Sequence, residues 1–326
     1  MPPSGGHRPF ESVWGGGYAA SVELTRVWRP AWPCPVGQVL APLRHGADPT
    51  MARDADGTWW RATRTPDGVG TLRVGVLSDG EIVASAWGPG AVGLLAGLPA
   101  LLGADDSTAG FEPGEQLRQL HRQRPNGRIG RSQAVFESLL PAIIEQKVTG
   151  LEAGQGYRAL VLRHGEPAPG PRPGLWVQPS PEVVAMIPSW EWLRLGISPE
   201  RSRTIVRAAM VASSLERTLG VDHAAADRRL RSLPGVGVWT SAEVRVRAHG
   251  DPDAVSFGDY HVARDVGFAL TGEVADDARL EELLEPWRGH RARVVRLIVG
   301  ARIQAPRHGP RMAPRRHLPT SRAGAR

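Results

Sequence analysis

Asp259 ends a run of residues whose types and order suit chemistry on a phosphate-linked polymer. Before it come Leu233, Pro234, Gly235, Val236, Gly237, Val238, Trp239 and Thr240, then a helix-length stretch, then Asp251-Pro252-Asp253-Ala254 and Phe257-Gly258. Gly235 and Gly237 have no Cβ, so a turn built on them bends sharply and approaches another molecule closely. A helix starting near Val238 aims its unpaired N–H groups out of that turn, where a phosphate is a favourable partner. Helix, turn and helix together form a clamp on the nucleic-acid backbone that reads no base sequence. A carboxylate beside such a clamp can stabilise positive charge building on a sugar. It can also orient or deprotonate an attacking water.

Three elements must place that carboxylate. The first helix spans residues 222–232, with Asp222 as its N-cap and Leu230 and Leu233 on its apolar side. The second runs from Val238 toward His249 and carries the chain roughly 18 Å from the turn at the helical rise per residue. The loop 250–258 reaches up to about 30 Å when extended, enough to bring the chain back. Asp259 then precedes a helix over 260–270. It has two compatible readings, a solvated N-cap or a catalytic carboxylate. Trp239 has two as well, packing beside the site or a platform for a base.

This run resembles the signature of the helix-hairpin-helix DNA glycosylases, most closely the 3-methyladenine DNA glycosylase II type, because Trp239-Thr240 follows the Gly-Val-Gly-Val turn. The resemblance covers roughly residues 20–300, with specific motifs only in 233–260. It implies binding of double-stranded DNA that contains damaged bases, flipping of the target nucleotide, and excision of an alkylated purine in base-excision repair. Asp259 would stabilise the sugar cation and activate water. Gln146, Lys147, Pro234, Gly235, Val236, Gly237, Val238 and Thr240 would touch DNA, and Trp239, Glu243 and Arg296 would line the base pocket. Carbonyls of Arg231, Leu233 and Val236 are the implied seat of a structural monovalent cation; no other cofactor is expected.

The same positions carry departures. Relatives place aromatic side chains where Glu243 and Arg296 stand, and a bulky apolar wedge where Lys147 stands. Glu243 can favour a cationic base or pair with Arg245, Arg247 or Arg296. Lys147 is the only lysine of the chain. Strand-nicking members use an amine at the position of Trp239, and arginine stays protonated and cannot replace it. The expectation is therefore a monofunctional, water-using enzyme. A catalytically weak lesion- or DNA-binding protein on the same scaffold is the alternative.

The rest of the chain bounds these readings. Its 326 residues suffice for two domains, with no apolar run long enough for a membrane span. Cys34 is the single cysteine, which excludes an internal disulfide and a cysteine-held cluster. Residues 288–326 contain eleven arginines and no acid, so the net +7 leaves −4 for residues 1–287. The fold class expected is α+β: a disordered N-terminus over 1–20, an antiparallel β-rich domain over 21–112, a helical glycosylase domain over 113–300, and a basic disordered tail over 301–326. Strands are expected at 22–27, 59–64, 71–76 and 81–87, and helices at 91–102, 132–148 (kinked by Pro141) and 201–219. Residues 164–180 read as a Pro/Gly-rich interruption, Met210 as core, and Glu281, Glu282 and Glu285 as a solvated helix face. A cytoplasmic, nucleoid-associated monomer without membrane or obligate protein partner is expected.

Overall fold

The structure is a computed structural model that describes residues 22–306. The segment 1–20 and tail arginines such as Arg307, Arg311 and Arg322, expected to be disordered, lie outside the described residues. Among those described, no helix is long and apolar enough to cross a membrane.

Strand-forming residues cluster early. β1 (Leu24–Trp28), β2 (Met51–Arg53), β3 (Trp59–Thr65), β4 (Gly68–Val76) and β5 (Ile82–Trp87) form one antiparallel sheet in the order β1-β5-β4-β3-β2. Period-two alternation sends neighbouring residues to opposite faces. Trp59, Leu72 and Ile82 join the short helix α1 (Val36–Leu40) and α2 (Ala91–Leu101) in one core, while Trp60, Ala62 and Trp87 face away into another. That second face is covered by Leu175 and Val177, from the stretch read as an interruption. There β6 (Glu166–Pro167) pairs with β7 (Trp176–Val177), and the Trp176 amide donates to the Pro49 carbonyl at 2.9 Å.

The helical part begins with α3 (Gly114–Gln123) and α4 (Val135–Ile144). Leu139, Leu140, Ile143 and Ile144 of α4 are fully buried, each contributing on the order of 2 kcal/mol. Pro141 sits inside α4 without ending it. The helix stops at Ile144, earlier than the expected 148, because Glu145, Gln146 and Lys147 turn, with Lys147 left-handed at φ 54°. α5 (Gly150–His164) follows, started by a capping box between Thr149 and Glu152. Next come α6 (Pro181–Met186), α7 (Ser189–Arg194), α8 (Pro199–Met210) and α9 (Ala212–Glu216). The expected single helix over 201–219 is broken at Val211 (φ −117°), and Met210 is 73% exposed rather than core. Ala208, Ala212 and Leu215, at helical spacing, take the buried side that Met210 misses.

The remaining helices are α10 (His223–Arg231), α11 (Val238–Val244), α12 (Tyr260–Thr271), α13 (Asp277–Leu284) and α14 (Arg291–Gly300). Leu117, Val266, Leu280, Leu284 and Ile298 form the core under the last three. The sheet meets the helices through polar ties: Arg61 donates to Glu137 of α4 at 2.6 Å and Thr63 donates to the same carboxylate.

Candidate active site and nucleic-acid interface

Asp222 caps α10 by accepting from the Ala225 amide at 2.7 Å. After Arg231 the chain turns through Leu233–Val236, closed by the Val236 amide on the Leu233 carbonyl at 3.0 Å. The two glycines of the turn differ. Gly235 has φ +95°, and a Cβ there would lie 2.2 Å from Thr204 Oγ1 of α8. Gly237 lies in extended backbone with open space around it, and starts α11 with no side-chain cap. Pro234, Gly235, Gly237 and Val238 are exposed, so the turn and the first amides of α11 face solvent. Of the carbonyls of Arg231, Leu233 and Val236 expected to hold a cation, that of Leu233 accepts the Val236 amide.

Gln146 does not reach outward as an isolated contact. Its amide nitrogen donates to the Gly235 carbonyl at 3.0 Å and to Thr240 Oγ1 at 2.8 Å, bracing the turn against the end of α4. Lys147 is the exposed residue there. Its strained backbone sets the direction of the one lysine on this face. Glu145 is held from the sheet side by His45 Nδ1 at 2.7 Å.

α11 continues past Val244 as a wider helical turn over Arg245–His249 and ends at left-handed Gly250. The loop then returns the chain. Asp251 is fixed by Arg245 and His223, and Asp253 by a two-pronged contact with Arg291 at 2.8 and 2.6 Å. Asp259 thus reaches Trp239, whose indole N–H donates to Oδ2 at 3.1 Å. Its other oxygen accepts the amides of His261 (2.8 Å) and Val262 (3.2 Å). Asp259 is therefore a true N-cap of α12, and the cap holds the carboxylate still. Trp239 is a tether for that carboxylate and packs against the helical core.

One turn beyond Asp259, Val262 lines a cavity of about 1270 Å³ between sheet and helices. Glu243 and Arg296 line it too, whereas Trp239, expected on the same wall, and Asp259 are not among its lining residues. Burial disfavours the Glu243 charge, yet Arg247, the Ser256 hydroxyl and more distant Arg296 outweigh it and hold the carboxyl below its usual range. Arg247 contacts Oε2 at 2.5 Å and Ser256 donates to Oε1. Of the three partners considered for Glu243, Arg247 takes the ion pair, while Arg245 goes to Asp251 and Asp227. Ser256 carried no signal in the sequence. Burial pushes the Cys34 thiol on the cavity wall up to about 11, so it is not a thiolate at neutral pH. Among the described residues no group of His, Cys, Asp or Glu could hold a metal ion.

No protein-family model matches the chain. A stretch of 148 residues is 33% identical to the "Probable bifunctional transcriptional activator/DNA repair enzyme AlkA" of two Mycobacterium tuberculosis strains, covering 44% of this chain and 29% of those proteins. The chain thus matches under a third of the length of these curated relatives. Among solved structures, a 3-methyladenine DNA glycosylase from Archaeoglobus fulgidus superposes with a TM-score of 0.71 at 21% identity, covering 85% of this chain and 98% of that one. This is the helix-hairpin-helix DNA glycosylase fold. An 8-oxoguanine glycosylase/lyase of Clostridium acetobutylicum shares the fold with a TM-score of 0.62 at 12% identity, over 87% of this chain and 99% of that one. Within the glycosylase fold, α10, the turn and α11 are the hairpin, and α12 begins at the aspartate that follows it.

Proposed function

We propose that the protein is a monofunctional DNA glycosylase that flips an alkylated purine of the 3-methyladenine type out of duplex DNA and excises it by hydrolysis. The observation that carries this reading is Asp259, fixed by the Trp239 indole and two helix amides beside a cavity large enough for a base. Similarity to AlkA and to the Archaeoglobus enzyme supports it. In this reading the hairpin holds the phosphate backbone, and a flipped base enters the cavity. As the glycosidic bond lengthens, the ionised Asp259 lies against the sugar cation and receives a proton from the attacking water. A cation on the turn carbonyls would screen the nearby phosphates and takes no part in the bond cleavage.

Lys147 supports water as nucleophile. It is exposed at a turn and does not line the cavity beside Asp259, and arginine cannot form an imine. Incubation with a methylated duplex should yield free base and an intact abasic strand. Borohydride should trap no adduct; a trapped adduct that vanishes in Lys147→Ala would overturn the monofunctional reading. The second reading, a lesion-binding protein of weak activity, draws on the charged residues at the cavity wall. Tight binding of damaged duplex without base release would favour it.

A further inference from the structure

The cavity beside Asp259 carries the wrong charge for a cationic base. Eight of the described residues that line it are arginines, against two carboxylates, Asp56 and Glu243. The Glu243 carboxylate is already used on both oxygens, by Ser256 and Arg247. It therefore offers a guest no free negative charge. Arg293 is likewise committed, bonded through both terminal nitrogens to Asp106 at 2.9 and 2.7 Å.

Arg296, one turn further along α14 than Arg293, is different. It has no hydrogen-bond or ion-pair partner among the described residues, and only Glu243 and Asp106 attract it from a distance. Burial, with Arg247 and Arg293 as like-charged neighbours, brings it down to about 10, so it stays charged at neutral pH while poorly compensated. A planar donor in that position is completed by a guest that brings acceptors. The oxygen and ring nitrogen on one edge of a 6-oxopurine are such a pair, and arginine meets them with two parallel bonds.

We infer that, within the glycosylase reading but in place of its 3-methyladenine-type substrate, the cavity selects neutral purines bearing a carbonyl at C6, such as hypoxanthine or 1-methylguanine, with Arg296 as the residue that reads the carbonyl edge. The chemistry agrees with the charge. A neutral purine departs with the electron pair of the C1′–N9 bond and becomes an anion delocalised onto its carbonyl oxygen. Arginine cannot protonate it but stabilises it through charge and hydrogen bonds. The sugar cation takes the oxygen of water, whose proton passes by way of Asp259 to solvent, and the purine anion is protonated by solvent. A cationic 7-methylguanine leaves without help and meets only repulsion from Arg296.

The test measures single-turnover release of hypoxanthine and of 7-methylguanine from matched duplexes, each divided by its spontaneous loss. The wild type should enhance hypoxanthine release more. Arg296→Ala should lower that enhancement about tenfold or more, and leave or raise the enhancement for 7-methylguanine. Arg296→Lys, which keeps the charge but not the fork, should fall in between and guards against misfolding of the alanine variant. Greater enhancement of the cationic base by the wild type, or equal losses on both bases in Arg296→Ala, would overturn the inference and leave the glycosylase reading standing. Release of neither base by the wild type would also overturn the inference, while release of 3-methyladenine from a methylated duplex decides the glycosylase reading separately.

Discussion

The hairpin turn with its carboxylate and the arginine-lined cavity wall are built on different principles. On the hairpin side, Gln146 donates to Gly235 and Thr240, and beside them Trp239 donates to Asp259, whose other oxygen accepts two helix amides. On the cavity wall, Glu243 of α11 and Arg296 of α14 lie more than fifty residues apart in sequence; Arg247 and Ser256 compensate Glu243, whereas Arg296 has no partner among the described residues. The first region fixes geometry and the second sets which guest is welcome. A protein of this kind can alter the wall while the reacting carboxylate stays where it is.

Breaking the reacting side should give the largest effect. Asp259→Asn keeps the cap acceptor and should leave DNA affinity and melting temperature near wild type while base release drops roughly a hundredfold, about 3 kcal/mol. Equal single-turnover rates would remove Asp259 from the reaction. A comparable effect on stability is expected from pH. His249 is buried at the end of the hairpin helix, bonded to Thr218 Oγ1 at 2.9 Å, and burial together with cationic His223 brings it down to about 4. Its folded value lies below the unfolded one. The stabilisation it protects is therefore complete above about pH 6.5 and is lost as pH falls toward 4, on the order of 3 kcal/mol. His223 is raised, first by its hydrogen bond to Asp251, and opposes this trend. Urea unfolding at pH 7 and 4.5 should show the loss, and His249→Gln should flatten it.

The two turn glycines sharpen the comparison within the hairpin itself. Gly235→Ala meets Thr204 and a left-handed backbone, and should destabilise by about 2 kcal/mol and weaken binding to damaged and undamaged duplex alike. Gly237→Ala has space and should change thermal stability by well under 1 kcal/mol. A loss of affinity for damaged DNA alone would contradict the backbone role. Smallest is Trp239→Phe, which keeps the ring and removes one hydrogen bond to Asp259. Base release should slow about fivefold, near 1 kcal/mol, with unchanged melting temperature.

The same contrast explains what the sequence revealed. Hairpin, returning loop and Asp259 lie within one short stretch, where glycine freedom, capping and helix rise are local rules, and the structure has all three. The strands from Trp59 to Trp87 were legible for the same reason. Long-range choices were not. Nothing local pairs Glu243 with Arg247 and Ser256 rather than with Arg245, and nothing local leaves Arg296 unpaired. Gln146 as a brace for Gly235 needs the two helices already packed. The helix over Gly150–His164 is not marked by its apolar stripe, which Gly154, Gln155 and Gly156 interrupt, although Thr149 and Glu152 announce its start. Residues 164–180 read as an interruption because their two short strands make sense only against the sheet they cover.

That covering ribbon has a bearing on how the chain is made. Trp60 and Trp87 stack at 5.6 Å on the sheet face closed by Leu175 and Val177, which are synthesised nearly ninety residues after Trp87. As the nascent chain emerges, the early sheet carries a bare tryptophan face until α4 and α5 have also appeared. Folding of this layer is thus timed by the later segment, and a fragment stopping at residue 112 would carry an adhesive surface that the whole protein never shows.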